Sequence, residues 1–143
     1  MSSIQNVKFI GSYKIVDPVN IYGCEISENV FIGPFTEIQN NVFIGDNSRI
    51  QSHTFICSNT IIGKNCFIGH GVMFTNDEFK NNKIEKNSDN FLRTELGDNV
   101  LVGSNSTFLP VKICSNVIIG AGSVVTKDIK EPGIYYGNPC RKK

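Results

Sequence analysis

The chain has 143 residues, 14 basic and 13 acidic, for a formal net charge of +1, which leaves no basic stripe for nucleic acid and no charged tail for an oppositely charged partner. Its apolar runs are only a few residues long, so no membrane insertion is expected, and the start, Met1-Ser2-Ser3-Ile4-Gln5, lacks the basic and apolar regions of a secretory signal peptide. Cys24, Cys57, Cys66, Cys114 and Cys140 are odd in number and nowhere spaced C-x-x-C, which argues against a disulfide framework and for reduced thiols in a cytoplasmic protein.

The first dozen residues carry a weak pattern and are expected to add at most an edge strand. From Ile26 a period takes over: Ile26, Ile32, Ile38, Ile44, Ile50, Ile56, Ile62, Ile68 and Phe74 are large, apolar and six apart. Four residues after each isoleucine comes a small or β-branched residue, in the series Val30, Thr36, Val42, Ser48, Thr54, Thr60, Cys66 and Val72. Side chains alternate faces along a strand, so the small residue and the large one two positions later point the same way. The residues after the large one read as turns, as in Gly33-Pro34-Phe35, Gly45-Asp46-Asn47 and Gly63-Lys64-Asn65. Each six-residue unit is therefore one short strand and one corner, and three units close a triangular coil. The fold class expected is all-β, a parallel β-helix, with one domain over 1–143. A helical period of 3.6 is absent.

After Phe74 the period stops. The polar, Asn- and Lys-rich stretch of about 75–95 is expected to be a loop ejected from one corner, and loops of this length are usually functional or disordered. The period resumes at Leu96, Val102 and Phe108, slips by one residue at Leu109-Pro110-Val111, and continues at Ile113, Ile119 and Val125. About five to six coils are expected. The tail 131–143 is expected to leave the helix at Pro132-Gly133.

The stacked I-G-x-x-T-x pattern, closing with Ile118-Ile119-Gly120-Ala121-Gly122-Ser123-Val124-Val125-Thr126-Lys127-Asp128 and ending in Tyr136-Gly137-Asn138-Pro139-Cys140, resembles the left-handed β-helix acyltransferases of the hexapeptide-repeat kind. The left hand is implied by this resemblance. Two stretches narrow it: Gln51-Ser52-His53-Thr54-Phe55-Ile56-Cys57 and Phe67-Ile68-Gly69-His70-Gly71-Val72-Met73-Phe74-Thr75-Asn76-Asp77 resemble the N-acetyltransferases of nucleotide-linked (dTDP-type) 3-amino-3,6-dideoxyhexoses. The chain departs from that family at Phe79-Lys80, where Pro-Arg is usual, and at Cys140, where Ala is usual. The resemblance implies acetyl-CoA as acyl donor, a nucleotide-linked amino sugar as acceptor, a homotrimer and no metal.

Counting in coils of 18 residues places the candidate chemistry. His53 lies three residues after Ile50 and His70 two after Ile68, so both fall near one corner, a coil apart. If the loop only interrupts the corner after Phe74, the next units on that edge are Val102 and Ile119, with corners Gly103-Ser104-Asn105 and Gly120-Ala121-Gly122. Glycine lets a long ligand approach backbone N–H groups, and the family lays its pantetheine arm along such an edge, between subunits. The coenzyme-binding set is therefore Gly103, Ser104, Gly120 and Ala121, joined by Lys127 from the run that carries the resemblance. His53, His70 and Asn76 are the candidate catalytic residues. Histidine titrates nearest neutrality, and acyl transfer to an amine uses a base or an orienting hydrogen-bond partner. The bland alternatives are solvated corner histidines, a loop-starting turn at Asn76-Asp77, and a packed rather than nucleophilic Cys66. Rival functions are O-acetylation of a sugar hydroxyl, a non-catalytic scaffold, and a zinc hydratase, for which a third ligand cannot be placed.

Overall fold

The computed structural model describes residues 1–143 as a three-sided parallel β-helix. A first sheet of seven strands runs from Ser3–Gln5 to Val124–Val125, a second of six from Lys8–Phe9 to Lys112–Ile113, and a third of eight from Tyr13–Ile15 to Gly133–Tyr136, edged by Arg141–Lys142. Successive strands of a sheet come from successive coils, so Phe31 pairs with Arg49, Arg49 with Phe67, and Phe67 with Leu101. The periodic isoleucines Ile26, Ile32, Ile38, Ile44, Ile50, Ile56, Ile62 and Ile68 are 0 % exposed and form the interior. The small inward residues fill it, and their hydroxyls donate to corner carbonyls of their own coil or the next: Thr54 Oγ1 to Gln51 at 2.9 Å, Thr60 Oγ1 to Cys57 at 2.9 Å, and Ser48 Oγ to Gly63 at 2.8 Å. A buried hydroxyl without such a partner is costly. Thr94 is the exception, buried and unpartnered, because the loop has replaced the corner it would reach.

Two expectations are corrected, and the coil count is extended by the two ends. The first dozen residues form most of a complete coil, not an edge strand: Ser3, Lys8 and Tyr13 pair with Asn20, Glu25 and Val30. Its inward residues are poorly covered, Ile4 being 43 % exposed, and the five-residue step from Ile4 to Phe9 hides the period. The helix holds six complete coils and a partial seventh made of Val124–Val125, an Ile129 bridge to Ile113, and Gly133–Tyr136. The tail does not leave at Pro132-Gly133, since Gly133 and Ile134 pair with Val117 and Ile118. Proline at a strand entrance removes one donor without stopping the strand.

Length changes collect at the corner between the first and second sheets. Ile21 to Ile26 and Phe108 to Ile113 are five-residue steps there, and the loop leaves from the same corner. The ladder still holds Thr75, whose N–H donates to Phe108 at 3.0 Å, and Thr94, which accepts from Ile61 at 2.9 Å. The ejected part is therefore 76–93, with two single-turn helices, Lys80–Asn82 and Ser88–Asn90. By contrast the corner from the third sheet to the first keeps a six-residue step in every coil from Ile15–Ile21 to Ile119–Val125, which makes it a regular edge.

The outward faces differ in chemistry. The second sheet carries charge, with Lys8 3.4 Å from Glu25 and Lys112 3.7 Å from Glu95. The third sheet carries an apolar column of Phe67, Leu101, Ile118 and Ile134, 38 to 43 % exposed. No helix is long and apolar enough to cross a membrane.

Candidate active site

Most corners hold one residue with positive φ, and asparagine tolerates that conformation better than other non-glycine residues. Asn29, Asn41, Asn47, Asn59, Asn65, Asn99, Asn105 and Asn116 fill the position, with φ between 55° and 69°. On the regular edge the same position reads Phe35, His53, Gly71, Asn105 and Gly122, one above the other. The backbone ladder fixes the stack: the N–H of His53 donates to Pro34 at 3.0 Å, that of Gly71 to Ser52 at 3.0 Å, that of Asn105 to His70 at 2.8 Å and that of Gly122 to Ser104 at 2.8 Å. His53 thus holds a strained conformation that a β-helix corner ordinarily gives to asparagine.

The two histidines share the edge without being equivalent. The exposed ring of His53 has no hydrogen-bond partner in the protein and lies against Phe35, ring centroids 4.8 Å apart. His70 stands over Ser52, whose Oγ is 2.9 Å from Nδ1, so that contact sets the ring orientation and leaves Nε2 toward solvent. Between the level of His53 and that of Asn105 sits Gly71, φ +67°; a Cβ there would lie 2.4 Å from the Asn105 Oδ1. The Asn105 amide therefore leans into the space that a side chain at Gly71 would fill.

Above the histidines the phase continues as the count expects, with Ile68 paired to Val102 and Val102 to Ile119. Gly103, Ser104, Gly120 and Ala121 are therefore on the histidine edge. Gly103 has a packing reason of its own: a Cβ would stand 2.4 Å from the Ala121 nitrogen. Ala121 and Gly122 are exposed and Ser104 half-buried, so these three offer the surface.

Asn76 and Lys127 are elsewhere. Asn76 follows Phe74 and Lys127 follows Val125, both of the first sheet, so both lie on the corner between first and second sheets, across a strand from the histidines. Asn76 helps to shut the base of the loop, its carbonyl accepting from Leu92 at 3.0 Å. Asp77 accepts from the N–H groups of Phe79 at 2.9 Å and Glu85 at 2.8 Å, tying the two limbs of the loop. A cleft of about 550 Å³ lies within this loop, lined in part by Asn76, Asp77, Lys83, Glu85 and Leu92. Cys57 and Cys66 are buried, and burial raises both thiols above their ordinary range, which removes them as thiolate nucleophiles near neutrality. Phe35 and Asn105 escaped the sequence reading; their signal was the position three residues after Ile32 and Val102, the one His53 holds after Ile50.

Comparison with known proteins agrees with the architecture. A model described as the bacterial transferase hexapeptide (six repeats) matches residues 23–58 and 41–76, and one described as the hexapeptide repeat of succinyl-transferase matches 93–127. No curated protein matches the chain. Among solved structures, a histidine-to-asparagine variant of perosamine N-acetyltransferase from Caulobacter crescentus, in complex with CoA and GDP-perosamine, superposes with a TM-score of 0.71 at 18% identity, over 95% of this chain and 57% of that one. A maltose O-acetyltransferase from Clostridium difficile 630 gives 0.68 at 23% identity, over 96% and 68%. AntD, an N-acyltransferase from Bacillus cereus in complex with dTDP and 3-hydroxybutyryl-CoA, gives 0.64 at 22%, over 99% and 74%. The chain thus spans little more than half the length of the perosamine enzyme.

Proposed function

We propose that this chain, a left-handed β-helix of the bacterial hexapeptide-repeat type, is a cytoplasmic acyltransferase that moves an acetyl group from acetyl-CoA to the amino group of a nucleotide-linked amino-dideoxy sugar. The observation that carries the proposal is the regular edge, which stacks an unpartnered His53 and a Ser52-held His70 beneath the open corners of Ser104 and Ala121. CoA in complex with the perosamine enzyme, and 3-hydroxybutyryl-CoA with AntD, support an acyl-CoA donor on this fold.

On this reading the pantetheine arm lies beside Ser104 and Ala121, with Gly103 and Gly120 keeping the backbone close, and the thioester reaches down to the level of Gly71. The amine nitrogen attacks the thioester carbonyl carbon. A C–N bond forms, the C–S bond breaks, and the electron pair leaves on the coenzyme thiolate. His53 takes the proton that the amine releases, while the Nε2 of His70 is free to hold the acceptor by a hydrogen bond. Replacing Ala121 by leucine raises the Michaelis constant for acetyl-CoA by roughly tenfold, the range of one methylene-scale change in a fitted pocket. Steady-state kinetics at saturating acceptor read this, and an unchanged constant argues against the placement.

The working form is a homotrimer. The apolar column on the third sheet borders the histidine edge and needs a cover that the charged second sheet does not. A neighbour seated there brings its corner between first and second sheets toward the histidines, which is how Asn76 and Lys127 join the site, Lys127 meeting coenzyme phosphate. Leu101→Asp, with or without Ile118→Asp, yields monomers of 15.8 kDa by sedimentation. A wild-type monomer at micromolar concentration contradicts the assembly.

The maltose enzyme keeps a second reading open, transfer to a sugar hydroxyl on the same edge. Thiol release from acetyl-CoA, followed across nucleotide-linked amino sugars and their hydroxy analogues, separates the two. Release with the amines supports N-acetylation, release with the hydroxy analogues alone supports O-acetylation, and release with neither rejects both.

A further inference from the structure

Phe35 is the one coil-corner residue with positive φ that is neither asparagine, glycine nor histidine. Its φ is 61°, a conformation that a bulky ring occupies at a cost, and asparagine fills the equivalent position in most corners. Nothing in the interior recovers that cost, because the ring points outward and is 59 % exposed. One face meets His53, with centroids 4.8 Å apart and ring planes 30° apart. A strained, exposed aromatic beside the candidate base is a local contradiction of the kind that function explains.

We propose that Phe35 is an acceptor-binding and specificity-determining residue, whose ring takes the apolar face of the deoxysugar while the sugar's amino group is presented to His53. The inference rests on the acyltransferase reading above and adds to it a floor for the acceptor. Direction along the edge separates the two substrates. The small corners of Ser104 and Ala121 stand above the histidines, and Phe35 stands one coil below His53. A pyranose ring is comparable in width to the spacing between neighbouring coils, so a sugar whose amine is at His53 lies over Phe35. The nucleobase is set apart from the sugar by two phosphates and a ribose, too far to be the partner of this ring. Aromatic faces attract apolar C–H surface and offer nothing to a hydroxyl, so the residue favours a deoxy over a hydroxylated acceptor.

The test uses Phe35→Asn, which suits the backbone conformation and keeps the fold, together with Phe35→Tyr and Phe35→Trp. Phe35→Asn is expected to raise the Michaelis constant for the nucleotide-linked amino-deoxysugar by roughly tenfold or more and to reduce discrimination against the 6-hydroxy analogue. The constant for acetyl-CoA and the sedimentation of the protein stay as in wild type, and Phe35→Tyr restores most of the acceptor affinity. The chain contains no tryptophan, so the indole introduced by Phe35→Trp is a single fluorophore of its kind. Its emission should change on titration with the intact sugar nucleotide and stay constant with the nucleoside diphosphate alone. An unchanged acceptor constant in Phe35→Asn overturns the proposal, as does a trimer that falls apart in that variant. An indole response to the nucleoside diphosphate alone also overturns it, by placing the base there. If wild type transfers no acetyl group, the functional reading fails, and the titrations of the Phe35→Trp variant still decide whether the ring meets a sugar.

Discussion

His53→Ala and His53→Asn lower turnover by roughly 10²-fold or more, the usual cost of losing a positioned general base. The Michaelis constants change less, because His53 is an exposed ring at a corner and its removal leaves the strands around it in place. Asparagine is the more informative substitution, since it fills the same positive-φ position in neighbouring corners without strain. If His53 is the base, the pH–rate profile of His53→Asn differs in shape from that of wild type. Should asparagine keep near-wild-type turnover with the same pH profile, His53 only orients the amine and the leaving thiolate accepts the proton. Full activity in His53→Ala moves the site to His70 and Asn76.

The second large effect is on stability. Phe108 is 0 % exposed and stacks on Phe74 inside the helix, ring centroids 4.8 Å apart and planes 11° apart. The pair fills the interior behind the corner from which the loop departs, where the Thr94 hydroxyl is already unpartnered. Phe108→Ala leaves a cavity that closed coils cannot collapse into, and about 3–5 kcal/mol of stability is lost. Urea unfolding measures this, at a fixed protomer concentration so that any coupling to assembly is held constant. A loss below about 1 kcal/mol would mean that the coils repack, contrary to a rigid stack.

The sequence period and the structure agree where side chains alone set the register. Ile26 to Phe74 could be read directly because every unit keeps six residues and buries the same two positions. The first coil could not, since it is held by backbone pairing and its inward residues remain partly exposed. The tail strand was hidden by Pro132, which looks like an end and is an entrance. Placement of the histidines followed from counting, and so did the phase across the loop, because the loop interrupts a single corner. The same count places Lys127 two residues after Val125, one corner away from the histidine edge, which the resemblance alone did not convey. Phe35 was concealed for a different reason. Gly33-Pro34-Phe35 reads only as a turn, and the positive-φ stack is what shows the ring beside His53.

The most direct measurement of the central claim is a crystal structure of the protein with CoA and a nucleotide-linked amino sugar. The pantetheine arm is expected along the corners of Ser104 and Ala121, its sulfur at the level of Gly71, and the sugar nitrogen within hydrogen-bonding distance of His53. Coenzyme bound only at the corner between the first and second sheets, beside Lys127 of the same subunit and away from both histidines, contradicts it.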